Sequence, residues 1–291
     1  MVSSDRYQQL QTQFTDSGSR TDIWGGFDLF LDTESFLNLG YASAPFSYLV
    51  EDPQQRLVER VLYELSCQDL SIPGTTILDI GCGRGGPARM FARHGYQVLG
   101  IDLVPYNIRQ ARRNTTESNP IWLIGDNTFL PFRGQSIDVV TAVDSIVYID
   151  ETRRLYSELY RILPPGGIAI ITDLLVNPEV ALPNSSITRF TSVWGMAGLE
   201  TLPSYVQILL DTGFNINTAR AITALSIDQF YPWTRLYSQL VSGPLTKPIF
   251  WLFARFGLDG PTIDTQIRAA TSVLPALEHV LFTIEKPASQ P

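Results

Sequence analysis

The sequence predicts an α/β fold, a seven-stranded and mostly parallel sheet with helices on both faces and a helical lid insertion. Two observations support this prediction. Between about residues 75 and 174, short apolar runs alternate with segments of helical periodicity, and this alternation is typical of βαβ units. The first apolar run, TTILDIG, leads into the glycine-rich loop GCGRGG and then into a helix. That order is typical of the first βα unit of such a sheet.

The predicted elements follow one another along the chain. Five apolar runs predict the first strands, namely TTILDIG, QVLGID, IWLIGD, SIDVVTAVD and IAIITDLL. Three segments between them have helical spacing, namely GPARMFARHG, PYNIRQARRN and DETRRLYSELYRIL. Two later runs, NINTARAITAL and HVLFTIEK, predict the last two strands, and LPSYVQILLDTGF (202–214) predicts a helix that ends at Gly213. Prolines and aromatic residues between 181 and 275 break up several helix-like pieces, which we interpret as the lid.

These patterns divide the chain into three regions. Residues 1–70 are predicted to form an amino-terminal helical cap, because DPQQRLVERVLYEL carries apolar residues on one helical face behind Pro53. Residues 71–180 are predicted to form the ligand-binding core. Residues 181–291 are predicted to hold the lid helices and the last strands.

Composition excludes several classes of function. The chain has 21 basic and 29 acidic residues, a formal net charge of −8, and no basic run, so we expect no nucleic-acid partner. Two cysteines and two histidines give neither a disulfide framework nor a metal site. The amino terminus lacks a secretory signal. The most apolar later segment, residues 248–258, is about half a bilayer span and contains Arg255. We therefore expect a cytoplasmic protein without an integral membrane span.

The loop ILDIGCGRGG (77–86) is compatible with two ligands. Gly81, Gly83 and Gly86 match the dinucleotide fingerprint, whereas Asp79 with the first two glycines matches loops that hold S-adenosylmethionine. A carboxylate at Asp79 would repel a pyrophosphate, but it would stabilise a sulfonium and an ammonium group. Asp79 therefore favours S-adenosyl-L-methionine as the cofactor.

Two further acidic residues indicate where a nucleoside would lie. Asp102 ends the second strand, 21 positions after Gly81, a spacing at which a carboxylate can receive ribose hydroxyls. Asp126 ends the third strand, where it can accept from an adenine amino group while Phe129 covers the ring. Both ligands contain these groups, so the two residues locate the pocket without choosing between the ligands.

Five blocks together resemble the ordered motifs of class I S-adenosylmethionine-dependent methyltransferases, which have a Rossmann-like fold. The blocks are ILDIGCGRGG, GID (100–102), GDNTFLPF (125–132), SIDVV and RILPPGG, and they cover roughly residues 75–175. Two looser segments, LNLGYAS (37–43) and the stretch 191–214, are similar to the small-molecule group that includes tocopherol, sterol and natural-product glycoside methyltransferases.

The resemblance implies positions for the cofactor. Loop residues would bind its methionine part, residues after the second and third strands would hold ribose and adenine, and a tyrosine from the amino-terminal region would face the sulfonium. The implied cofactor-binding residues are Tyr41, Asp79, Gly81, Cys82, Gly83, Asp102, Leu103, Asp126, Asn127 and Phe129. Of these, Cys82 is interpreted as a small buried residue between glycines rather than as a reactive thiol.

The acceptor side departs from the pattern that it resembles. AVDSIVYID (142–150) is similar to a segment of natural-product sugar O-methyltransferases in which histidines provide the base, but Val147 and Tyr148 occupy those positions here. Asp144 is the best remaining candidate for orienting or deprotonating the acceptor, and Tyr148 is a candidate hydrogen-bond partner. Aromatic residues of the lid, among them Trp194, Trp233 and Tyr237, predict a hydrophobic acceptor pocket.

The predicted function is therefore methyl transfer to a small hydrophobic acceptor of the secondary-metabolite type, on oxygen or nitrogen. C-methylation of an isoprenoid or an alkaloid is the alternative within the same class. An NAD(P)-dependent oxidoreductase and a non-catalytic donor-binding module are the alternatives from other classes. A homodimer is compatible with the sequence.

Overall fold

A mixed sheet forms the centre of the computed structural model, which describes residues 4–14, 36–50, 52–68 and 74–288. Within these residues the sheet has seven strands in the order β3-β2-β1-β4-β5-β7-β6. The strands are β1 (Thr76–Ile80), β2 (Gln97–Asp102), β3 (Ile121–Ile124), β4 (Val139–Val143), β5 (Ile168–Val176), β6 (Asn215–Ala221) and β7 (Leu277–Glu285). Each strand overlaps a segment in which the sequence predicted one, and the fold-class prediction is confirmed.

The helices cover both faces of the sheet and build a lobe beyond its carboxyl edge. Those before and within the core are α1 (Ser4–Phe14), α2 (Ser47–Val50), α3 (Pro53–Ser66), α4 (Gly86–Arg93), α5 (Pro105–Arg113) and α6 (Thr152–Ile162). Those after β5 are α7 (Asn184–Val193), α8 (Leu202–Thr212), α9 (Ile227–Leu240), α10 (Thr246–Arg255) and α11 (Gly260–Val273). The lid region therefore enters as two insertions, one after β5 and one between β6 and β7.

The last strands of the sheet have a different order from those of a dinucleotide-binding fold. β7 runs antiparallel between β5 and β6, and nine residue pairs join it to β5, from Ile168–Glu285 to Val176–Leu277. A dinucleotide-binding sheet has the order 3-2-1-4-5-6 without such a strand. This strand order therefore argues against an NAD(P)-dependent oxidoreductase.

Alternating side chains on the strands build a core on each face. Leu78 and Ile80 of β1 and Phe282 of β7 pack against α6 and α8, whereas Ile77 packs on the opposite face with α3 and α4. Tyr205 of α8 stacks on Phe282 with ring centroids 4.9 Å apart. A third cluster, built by the lid helices, holds Phe190, Trp194 and Phe230 among others.

We expect Phe282→Ala to lower the free energy of unfolding by about 3–5 kcal/mol, since it leaves a cavity under Tyr205. Urea unfolding followed by circular dichroism measures this. Leu210→Ala is the matched control, because Leu210 of α8 is 51% exposed, and it should cost under about 0.5 kcal/mol. Equal losses in the two variants would contradict the assignment of Phe282 to the core.

Candidate active site

The glycine loop after β1 is shaped by contacts that leave no room for side chains. Gly81 has φ +61°, and a Cβ atom there would lie 2.6 Å from the Cβ of Ser145. Gly83 has φ +53°, and a Cβ there would lie 3.2 Å from Cδ1 of Leu37. Gly86 begins α4 and would meet the Phe36 ring at 2.7 Å. The third glycine of the dinucleotide fingerprint therefore serves packing against Phe36.

Asp102, at the end of β2, holds this loop in place. Its Oδ2 accepts the Gly83 N–H at 2.9 Å, and its Oδ1 accepts the Val104 N–H at 2.8 Å and the Asn107 amide at 3.3 Å. Burial raises the pKa of Asp102, and these hydrogen bonds oppose that rise. The carboxylate therefore ties the loop to the neighbouring strand while it faces the cleft beside it.

Asp79 is a buried carboxyl beneath the loop with one oxygen unpartnered. The Thr141 hydroxyl donates to its Oδ1 at 2.9 Å, but its Oδ2 has no hydrogen-bond partner among the described residues. Burial raises the pKa of Asp79 to about 7, with Asp102 adding to the rise and the bond from Thr141 opposing it. A buried carboxylate without a counter-charge is costly, so this position suits a cationic group of a bound molecule.

A cleft of about 1070 Å³ opens at the carboxyl edge of β1, β2 and β4, as expected for an α/β sheet. Most of the predicted cofactor residues and both predicted catalytic residues line it. They are Gly81, Gly83, Asp102, Leu103, Asp126, Asn127, Asp144 and Tyr148. Sequence reasoning therefore brought together residues from four strand ends that do share one cleft.

Four predicted cofactor residues, among them the buried Asp79, do not line the cleft. Tyr41 packs against the core cluster of α3 and α4, because Gly40, at φ +92°, turns the chain. Leu37 of the same segment lines the cleft in its place. Cys82 is buried, and its Sγ would lie 3.0 Å from a Cβ built on Gly100. Phe129 is 68% exposed.

Two asparagines line the cleft with unpartnered acceptors. The Oδ1 atoms of Asn107 and Asn127 are buried and have no hydrogen-bond partner among the described residues. Asn127 was predicted from the sequence, whereas Asn107, in the first turn of α5 and five residues after Asp102, was not. Beside Asn127, Asp126 accepts both the N–H and the hydroxyl of Thr128 through its Oδ1. The end of the cleft near β3 is therefore rich in acceptors.

Helix α1 covers the cleft. Arg6, Leu10 and Phe14 line it, and the Arg6 Nη2 donates to the Tyr148 carbonyl at 2.9 Å. The rings of Phe14 and Tyr148 meet edge to face with centroids 5.3 Å apart. The sequence placed this segment in the helical cap but did not predict its contact with the cleft, although the three inward residues are spaced by four, as on one helical face.

A second cavity, of about 570 Å³, lies under the lid helices and shares Leu37, Asp144 and Tyr148 with the cleft. Its lining is mainly apolar and includes Leu39, Tyr48, Val147, Leu174, Phe190, Trp194, Met196, Phe230, Ala270 and Leu274. Of the predicted substrate residues, Trp194 therefore lines this cavity. Trp233 and Tyr237 lie outside both linings. Trp233 Nε1 donates to the Pro45 carbonyl, and Tyr237 stacks on Phe253.

Asp144 stands where the two cavities meet, and three donors converge on its carboxylate. Thr172 donates its hydroxyl at 2.5 Å, Leu39 its N–H at 2.8 Å, and His279 its Nε2 at 2.9 Å. Burial alone would raise the Asp144 pKa, but His279 and these hydrogen bonds outweigh burial and lower it. Asp144 is therefore an ionised anchor and a weak base.

His279 is part of this arrangement. It is fully buried on β7, and its Nδ1 lies 2.9 Å from the Ser226 hydroxyl. Asp144 and His279 are 135 positions apart in the chain, and they meet because β7 lies next to β5 in the sheet. No local sequence pattern predicts such a contact. Across the described residues, no group of three or more His, Cys, Asp or Glu side chains could hold a metal.

Comparisons with known proteins agree with the geometry. Residues 78–171 match the family model described as a methyltransferase domain. The O-methyltransferase resE of Aspergillus sclerotiorum is 27% identical over 201 residues, 67% of this chain and 71% of that protein. The 2-methyl-6-phytyl-1,4-hydroquinone methyltransferase of Synechocystis is 29% identical over 220 residues, 72% of this chain and 66% of that protein.

Solved structures share the whole fold. A putative sarcosine dimethylglycine methyltransferase from Galdieria sulphuraria superposes with a TM-score of 0.74 at 16% identity, covering 92% of this chain and 98% of that one. Geranyl diphosphate C-methyltransferase from Streptomyces coelicolor gives 0.70 at 16% identity, covering 98% and 100%. The methyltransferase-domain match over residues 78–171 and these relatives support a class I S-adenosylmethionine-dependent methyltransferase of the small-molecule group, with S-adenosylmethionine as the cofactor.

We expect His279→Leu to lower the free energy of unfolding by about 3 kcal/mol at pH 7, because it leaves the buried Asp144 carboxylate short of a donor. The deficit should shrink at pH 5, where the unpaired carboxyl can take up a proton. Thr283→Val is the matched control, since this buried β7 hydroxyl has no partner. Chemical denaturation at both pH values tests this, and equal effects of the two variants would contradict it.

Proposed function

We propose that this enzyme transfers the methyl group of S-adenosylmethionine to a small, neutral, lipophilic acceptor. One observation carries the proposal. An acceptor-lined cleft suited to the donor meets a mainly apolar cavity at three shared residues, Leu37, Asp144 and Tyr148. The methyl group would cross from one compartment to the other at this junction.

The donor would lie along the carboxyl edge of the sheet. Its methionine part would pass over Gly81 and Gly83, and its ammonium group would approach the unpartnered Oδ2 of Asp79. The ribose would meet Asp102, whose carboxylate has acceptor capacity beyond the three hydrogen bonds that it receives. The adenine would lie near Leu103 and the acceptor atoms of Asn127.

The lining of the second cavity defines the acceptor class. Among the described residues that line it there is no arginine, lysine or histidine, so nothing there would balance a phosphate or a diphosphate. Its aromatic and aliphatic side chains suit an apolar molecule of modest size. The Synechocystis relative is named for a phytyl hydroquinone, an acceptor of this neutral, lipophilic kind.

The reaction would be an in-line displacement. An electron pair of the acceptor attacks the methyl carbon, the carbon–sulfur bond breaks, and S-adenosylhomocysteine leaves as a neutral thioether. A neutral acceptor would become cationic in this step, and it would afterwards release a proton to water. Asp144 would stabilise that positive charge electrostatically, because its lowered pKa makes it a poor proton acceptor. The Tyr148 side chain, which also lines the junction, would contact the acceptor.

C-methylation of an alkene is the second candidate. Phe190, Trp194 and Phe230 present aromatic rings to the cavity next to an ionised carboxylate. Such rings attract cations through their faces, so the same lining would stabilise a carbocation. Mass spectrometry of the product, after reaction with methyl-labelled donor, separates O-, N- and C-methylation.

The direct test is methyl transfer from labelled donor to a panel of acceptors. We expect product from neutral hydroquinones, phenols or isoprenoids, and none from prenyl diphosphates of the same chain length. Transfer to the diphosphates alone would overturn the proposal for the acceptor. Failure of S-adenosylhomocysteine to bind in calorimetry would contradict the donor placement.

Donor affinity should rise about fivefold between pH 6 and pH 7, because the donor's ammonium group needs ionised Asp79, whose pKa in the free enzyme is about 7. Binding should release a proton in the lower part of this range. Titration calorimetry with S-adenosylmethionine in buffers of different ionisation enthalpy measures both effects. Asp79→Asn keeps the acceptor for Thr141, and it should bind weakly with no such slope. A slope retained in this variant would refute the role of Asp79.

Trp194→Ala should raise the acceptor KM about tenfold or more, because it removes a wall of the apolar cavity. Trp233→Ala is the matched control, since each indole donates one hydrogen bond to a carbonyl but only Trp194 lines the cavity. Donor affinity should stay unchanged in both. Steady-state kinetics with the acceptor found in the panel decide the matter, and an equal change of KM in the two variants would count against the cavity assignment.

A further inference from the structure

The outer surface of helix α10 is apolar and exposed. No residue of this helix is buried. Trp251 is 68% exposed, Leu252 44% and Phe256 44%, and Leu245 in the preceding turn is 47% exposed. Large apolar side chains clustered in this way are costly in water, and such patches mark interaction surfaces. Methyl transfer at the core edge does not account for them.

The charge of this segment is opposite to that of the whole chain. Between Asp228 and Asp259 the sequence contains Arg235, Lys247 and Arg255 and no acidic residue. The complete chain has a net charge of −8. Lys247 and Arg255 lie at the two ends of α10, and both are exposed. An isolated cationic and apolar surface on an acidic protein is complementary to an anionic, apolar-cored partner.

We propose that α10 and its preceding turn form a docking surface for an anionic lipid bilayer. The surface, residues 245–256, would place Trp251, Leu252 and Phe256 at the boundary between headgroups and acyl chains, with Lys247 and Arg255 at the phosphates. Among the described residues, no helix is long and apolar enough to cross a membrane. α10 itself has ten residues and is about 15 Å long, so in this contact it would lie along the bilayer surface.

A bilayer fits this surface better than a second copy of the chain. In a twofold dimer the same patch meets itself, so the cations of one copy would face those of the other with no acidic residue of the segment to neutralise them. Anionic headgroups supply that missing charge. The aromatic and basic composition is also that of an interfacial helix.

The surface is connected to the acceptor cavity through one layer of side chains. Phe253, on α10, stacks on Tyr237 of α9 and packs against the lid cluster that contains Phe230 and Trp194. Those two residues line the cavity. Docking would therefore bring the acceptor cavity close to the phase in which a lipophilic acceptor dissolves, an inference that rests on the proposed function.

Vesicle co-sedimentation of the full chain tests docking without donor or acceptor. We expect binding to phosphatidylcholine vesicles that contain about 30 mol% phosphatidylglycerol, and much weaker binding to phosphatidylcholine alone, because each basic residue adds to the attraction. Trp251→Gln combined with Leu252→Gln should lower the partition coefficient at least tenfold. Lys247→Glu combined with Arg255→Glu should remove the dependence on phosphatidylglycerol.

Two control variants change exposed residues on helices that pack against the sheet. Leu210→Gln changes an exposed apolar residue of α8, and Arg113→Glu changes an exposed basic residue of α5. Both should bind vesicles as the wild type does, and thermal melts should show that all variants fold. Wild-type protein that fails to sediment with either vesicle, or α10 variants that bind normally, would overturn docking.

Two further measurements distinguish bilayer docking from self-association and from the proposed methyl transfer. Light scattering that shows a dimer dispersed by the Trp251→Gln and Leu252→Gln pair, without vesicle binding, would assign the surface to self-association and refute the bilayer. Methyl transfer to a water-soluble acceptor should be the same in these variants and the wild type. Docking can therefore fail while transfer persists, and transfer can fail while docking persists.

Discussion

The buried Asp144 carboxylate is the interaction on which the arrangement of this active site depends. It ends β4 in a left-handed conformation, at φ +53°, and it receives hydrogen bonds from three separate parts of the chain. Thr172 belongs to β5, His279 to β7, and Leu39 to the amino-terminal segment. One negative charge thus fixes the position of Leu37 and Leu39 relative to the sheet. Both leucines line the second cavity, and Leu37 also lines the cleft.

The same carboxylate explains why β7 matters for chemistry as well as for stability. Because β7 runs antiparallel between β5 and β6, it brings His279 from the end of the chain to the carboxyl edge of β4. A buried carboxylate remains ionised only where donors or cations surround it. Asp144 has such donors and its pKa is lowered, whereas Asp79 has one donor and its pKa is raised to about 7. Asp144 is therefore satisfied by hydrogen bonds within the protein, whereas Asp79 keeps an unpartnered oxygen, which is the atom proposed to meet the donor's ammonium group.

Features that depend on residues close together in the chain could be predicted from the sequence, and features that depend on distant residues could not. Strand and helix periodicity is local, and it placed all seven strands. The glycine loop and Asp102 were found because their geometry is fixed within one βα unit and its neighbour. Tyr41 was predicted to face the cofactor, but Leu37 lines the cleft, because the turn at Gly40 sets which side chain faces it and that turn packs closely on Pro53. His279 could not be connected to Asp144, since their contact is created by strand order alone.

Contacts within the lid region also join residues far apart in the chain, so local sequence patterns do not predict them. Trp194, Trp233 and Tyr237 look alike in sequence, and only the packing of α7 against α11 decides that Trp194 faces the cavity. The segment 248–258 is half as long as a bilayer span and carries a charge, which argued only against crossing a membrane. Once folded, this segment contributes Phe253 to the lid cluster and leaves Trp251 and Leu252 exposed. A single short helix thus has one apolar face that supports the acceptor cavity and another that meets the surroundings. Under the proposed function and the proposed docking, both faces would serve the same physical need, which is to keep apolar surface out of water along the path of a lipophilic acceptor to the donor.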